Sequence, residues 1–147
     1  MSEHLELIRH FSAEQLATLL REQGYRVTVD EEGRLLRSAS QGLAFLARFG
    51  NAAETDGQWL DVTFGLTLQV DGELPAELVN RWNSRMRFAR LSHQGDALVL
   101  EQDLMVAGGV HVDAVKAQLT LWDRLIQELV FFLREQLAAD DSQRASA

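Results

Sequence analysis

The stretch NRWNSRMRF, residues 80–88, carries Arg81, Arg85, Arg87, Asn80, Asn83, Trp82 and Phe88 with no acid among them. Guanidinium groups interleaved with aromatic rings can hold phosphates and stack bases, so a nucleic-acid grip is the first chemistry to weigh. Trp82, however, shares a helical arc with Leu78 and Met86 and is expected in the core. Phe88, two residues into a following strand, is expected to face inward as well. Arg81 and Arg85 lie one turn apart and would then make a solvated face or pair with acids. The formal net charge of −8 and pI near 4.9 repel phosphate backbones and favour protein partners.

The two asparagines offer a different chemistry. Partly buried amides must find hydrogen-bond partners. Near a helix C-terminus they can bond loose carbonyls or the edge of an adjacent strand. The expected role is to lock a helix-to-strand corner; recognition of a ligand by the amides is the alternative. Asn80, Asn83 and Arg87 are therefore expected to bond neighbouring backbone or acids such as Asp103, while Trp82 and Phe88 are buried.

Catalytic constellations are weak. Of the four histidines, His4 and His10 lie in a terminal segment and His93 in a hairpin. His111-x-Asp113 could supply two metal ligands, but it stands at a helix start, where His111 can cap and Asp113 meets the dipole. Glu101 and Asp103 alternate on one strand and read as outward residues of a wet sheet face, not as an acid pair. Gly108-Gly109 could cradle an anion before a helix, but more simply allows a sharp reversal. There is no H-E-x-x-H, P-loop, G-x-S-x-G or G-x-G-x-x-G. No catalytic residue, metal site or cofactor is expected.

These residues need elements to position them. Ser12 and Gln15 form an S-x-x-Q capping box, Phe11 and Leu16 a hydrophobic staple, and Gly24 a left-handed stop, which predicts a helix over 12–23. The period then changes to two. YRVTVD, LLRSAS and LAFLARF read as strands, and QWLDVTFGLTLQV alternates Leu60, Val62, Phe64, Leu66, Leu68 and Val70 with a wetter face. Pro75 is placed at the first position of a second helix, with Glu77 in its first turn. RFARLS and ALVLEQDLMV form a hairpin around HQGD. Val115, Leu119, Trp122, Ile126, Leu129 and Leu133 then mark a long last helix.

The order α-β-β-β-β-α-β-β-α predicts an α+β two-layer sandwich, a mainly antiparallel sheet covered by three helices. At 147 residues it reads as one domain, residues 1–138. AADDSQRASA has little to bury, so 139–147 is expected to be a disordered C-terminal tail. The absence of cysteine removes disulfide, thiolate and zinc–sulfur chemistry. The charged N-terminus and the lack of a run of ~20 apolar residues point to a soluble, cytoplasmic protein with no membrane partner. On the last helix, Leu121, Leu125 and Phe132 widen the apolar stripe, which predicts a homodimer surface there.

Taken together, L-V-N-R-W-N-S-R-M-R-F, L-V-L-E-Q-D-L, A-G-G-V and a helix with a central Trp resemble the YbjN family of bacterial sensory transduction regulators. The family core maps onto Asn80, Trp82, Asn83, Arg87 and Phe88, and its D-(x)4-G-G-V portion onto Asp103, Gly108, Gly109 and Val110. The resemblance implies a type III secretion chaperone-like fold that dimerises, and a regulatory role with no known reaction. Relatives' third-strand cysteine has no counterpart here, so any role of that thiol does not carry over. The expected function is a non-enzymatic regulatory or adaptor protein acting through protein–protein binding. The alternative is a type III secretion-type chaperone holding a substrate protein.

Overall fold

The computed structural model describes residues 7–145, with side chains through residue 139. The chain runs β1 (Leu7–Ile8), α1 (Ala13–Glu22), β2 (Thr28–Val29), β3 (Leu35–Ser40), β4 (Leu43–Phe49), β5 (Asp61–Gln69), α2 (Leu78–Arg85), β6 (Arg90–Gln94), β7 (Ala97–Met105), β8 (Val110–His111) and α3 (Val112–Ala145). Six strands form one antiparallel sheet in the order β2-β3-β4-β5-β7-β6. The connection through α2 carries the chain to the far edge as β6, and β7 returns between β6 and β5. A short β1–β8 ribbon, which alternation in the sequence does not announce, ties the N-terminal segment to the start of α3.

The capping box forms as its spacing predicts: Gln15 N–H donates to Ser12 Oγ (3.1 Å) and Ser12 N–H to Gln15 Oε1 (2.7 Å). The α1 C-terminus closes with Gly24 N–H bonding Arg21 O and Tyr25 N–H bonding Leu20 O, with Gly24 at φ 94°. That closure explains why the strand expected over 25–30 shrinks to two residues. Tyr25 N–H is taken by the helix, and the Arg26 and Val27 carbonyls accept from Ser38 and Arg21 side chains.

Pro75 stands before α2 and not inside it. Leu78 N–H closes a turn back to Pro75 O (3.1 Å), and the helix begins at Leu78. At the other end of the chain, α3 runs on through Ala145. The disordered tail expected from residue 139 is thus corrected as far as 145, and residues 146–147 lie outside the described residues.

All three helices cover one sheet face. Val62, Phe64 and Leu66 of β5 and Leu98, Leu100 and Leu104 of β7 are buried against Leu16 and Leu20 of α1, Leu78 and Trp82 of α2, and Trp122, Ile126 and Leu129 of α3. Trp122 meets Phe45 and Phe64 at 5.8 and 5.7 Å between ring centroids, a geometry that aromatic quadrupoles favour. Two layers around one core make this an α+β sandwich.

Candidate functional site

The corner between α2 and β6 is built from the top of NRWNSRMRF downward. Trp82 is fully buried, and its Nε1–H donates to Ala89 O (3.1 Å). Asn83 makes a two-point bond to one residue: its Nδ2 donates to Leu91 O (2.8 Å), and Leu91 N–H donates to its Oδ1 (2.9 Å). Leu91 pairs with Leu100 in the β6–β7 ladder. In an antiparallel ladder alternate residues point their backbone groups away from the neighbour. The groups of Ala89 and Leu91 that face away from β7 are thus satisfied by two side chains of α2.

The second half of the stretch departs from expectation. Phe88 is 62% exposed and sits at φ 77°. A bulky residue in the left-handed region is strained by ~1–3 kcal/mol and persists only where its surroundings hold it. This reversal delays β6 to Arg90 and turns the ring outward, correcting its reading as core. Arg87 is exposed too; its guanidinium lies 4.8 Å from the Phe88 ring centroid, so it stacks on the ring, and among the described residues it bonds no backbone or acid. Asn80 is exposed with no side-chain hydrogen bond among the described residues. Arg81 pairs with Glu77 (3.1 Å) and donates to Gln136 Oε1 (2.6 Å), which joins α2 to α3.

Beside Phe88 lies a shallow groove of about 270 Å³ between the end of α2 and the middle of α3. Met86, Leu121 and Leu125 contribute apolar surface, while Arg85, Arg87 and Arg124 place three cations around it against one acid, Glu128. Leu125 and Phe132 are only 3% and 5% exposed. They belong to the domain's own core, where Phe132 packs edge-on against Trp82 at 5.5 Å, and this corrects their reading as a dimer surface. Leu121 stays half-buried at the groove wall.

A family model described as "Putative bacterial sensory transduction regulator", YbjN, matches residues 12–135. The chain belongs to the YbjN family. Neither the curated proteins nor the solved structures contain a match to it.

In this YbjN chain the remaining signature residues make contacts within the domain. Asp103 accepts from Thr63 Oγ1 (2.6 Å) and Arg90 Nη1 (2.8 Å), so its basic partner is Arg90 and not Arg87. Burial pushes its carboxyl up, but the Thr63 hydroxyl and the Arg90 guanidinium outweigh this and hold it below the usual carboxylate range. Arg90 also reaches Glu101 (3.5 Å), which pairs with Arg48 at 2.8 Å. These groups form an ionic lattice on the sheet face opposite the helices. Gly108 and Gly109, at φ 87° and 95°, make the reversal expected of them, and Val110 pairs with Ile8. His111 Nδ1 accepts from Asp113 N–H (3.1 Å), the capping role read from the sequence.

One cluster in this YbjN domain was not foreseen. Ser40 Oγ donates to Asp123 Oδ1, and Gln127 Nε2 to Asp123 Oδ2 (3.0 Å). Tyr25 stands beside them, its phenol pushed up to about 12 by burial and then by the Asp123 charge. Its four members come from the loop after α1, the end of β3 and the middle of α3. No spacing rule joins residues so far apart, although Asp123 next to Trp122 is a charge beside the apolar stripe.

Proposed function

We propose that this YbjN-family protein is a non-enzymatic regulatory adaptor that binds another protein at the α2–β6 corner. Phe88 is the anchor, and Arg85, Arg87 and Arg124 select an acidic partner surface. The observation that carries the reading is the exposed Phe88 ring on strained backbone. Strain of this kind gathers at binding and switch positions, and an exposed aromatic flanked by arginines has the composition of an interface hot spot. The charge pattern supports it, because three guanidiniums collect here on a chain of net charge −8. No helix among the described residues is long and apolar enough to cross a membrane.

The test compares what wild type, Phe88→Ala and Arg87→Glu retain from native extract after mild crosslinking, with near-UV circular dichroism confirming the fold. Loss of the same partner from both variants supports the reading, and equal retention by all three overturns it. Crosslinks confined to an unfolded segment of the partner, spread over several apolar patches, would instead favour the secretion-type chaperone.

A further inference from the structure

We propose that the recess between the end of α1, the end of β3 and the middle of α3 binds an organic ammonium ion, with Asp123 as its counter-ion. This goes beyond the adaptor reading and uses a different part of the molecule. The recess is an open depression of about 550 Å³, lined by Gly24, Tyr25, Ala39, Ser40, Thr120 and Asp123 among others. One wall is open because Gly24, placed by its left-handed φ at the helix stop, carries no side chain.

The chemistry of the lining is one-sided. Asp123 is a half-buried carboxylate, held in place by donors from Ser40 and Gln127. Among the described residues no arginine, lysine or histidine pairs with it. A partly desolvated charge favours a counter-charge. An aromatic ring beside that carboxylate adds attraction for a cation, and quaternary ammonium groups are bound by this pairing. The Ser40 and Thr120 hydroxyls offer hydrogen bonds to a polar tail on the same ligand. The net charge of −8 draws cations toward the site.

The raised phenol supplies the readout. Tyr25 is the sole tyrosine in the chain, so the pH-dependent change in absorbance near 295 nm follows it alone. A cation seated against Asp123 offsets the charge that lifts the phenol, so its titration should move down. Choline is the probe, because it stays charged at every pH, and 3,3-dimethylbutan-1-ol is its neutral isostere. Calorimetry at neutral pH and constant ionic strength is expected to show saturable choline binding, no comparable binding of the isostere, and weakening by roughly tenfold or more in Asp123→Asn. Choline should lower the Tyr25 titration in wild type. Thr120→Lys, an exposed substitution that offers Asp123 a built-in cation one helical turn away, should weaken choline binding and keeps the test sharp if Asp123→Asn does not fold. No saturable choline binding, equal binding of choline and its isostere, or wild-type affinity in Asp123→Asn or Thr120→Lys would each overturn the proposal.

Discussion

Two side chains tie stability to pH in opposite directions. Asp103 is held below the usual carboxylate range in the fold, so it contributes stability that is present above the unfolded carboxylate value of about 4 and lost as pH falls through the lower folded value. Asp103→Asn should therefore unfold more easily than wild type at neutral pH, and the gap should close on acidification below about 4, as thermal melts across that range would show. Tyr25 works the other way. Its phenol is raised from 10.0 to about 12, so the fold keeps its full stability below the unfolded value and loses it as pH climbs between the two. Wild type should show an alkaline loss in that window that Tyr25→Phe lacks. Asp123→Asn should bring the phenol's titration down toward its ordinary value.

The elements show what sequence can and cannot specify. Ser12 and Gln15 announce α1 because both halves of the cap lie within four residues. The β5 strand is equally plain, since its alternation continues unbroken across the sheet. Phe88 is different. Nothing in the residue type signals a left-handed backbone, and an aromatic at the start of a strand reads as core, although Phe88 shares the parity of the exposed Arg90 and not that of the buried Ala89 and Leu91. Leu125 and Phe132 mislead for another reason: the width of an apolar stripe records how much is covered, not by what. Here α2 covers it, through Trp82 against Phe132. Trp82→Ala should accordingly cost about 3–5 kcal/mol in urea unfolding, the range for emptying a large aromatic site. Trp82→Phe should cost less, losing chiefly the bond to Ala89 O.

At the scale of the whole molecule, the layer order was legible and the recess was not. Helices and strands are local patterns, and their order fixes the sandwich. Tyr25, Ser40 and Asp123 meet only after the sheet and α3 have packed. Length sets another feature. The 34 residues of α3 span about 51 Å at 1.5 Å per residue, whereas the nine of β5 span about 30 Å. The helix outruns the layer it covers, and Phe131 and Leu137 are more than half exposed along its later turns. Truncation after Ala139 should leave the urea unfolding free energy within about 0.5 kcal/mol of the full chain.

The Asn83 bond to Leu91 has a consequence for how copies of this chain behave in company. Strand β6 is the last of its sheet, and a bare last strand is a template on which another chain can polymerise. One amide, offering a donor and an acceptor at the spacing of a peptide group, stands where a seventh strand would begin and leaves a newcomer nothing to bond at that position. Asn83→Ala would uncover it. The variant should lose about 1–3 kcal/mol from the two exposed backbone groups, and its solutions should scatter light increasingly with concentration where wild type stays clear. On this view the side chain that squares the corner also keeps a crowded solution from becoming a fibre.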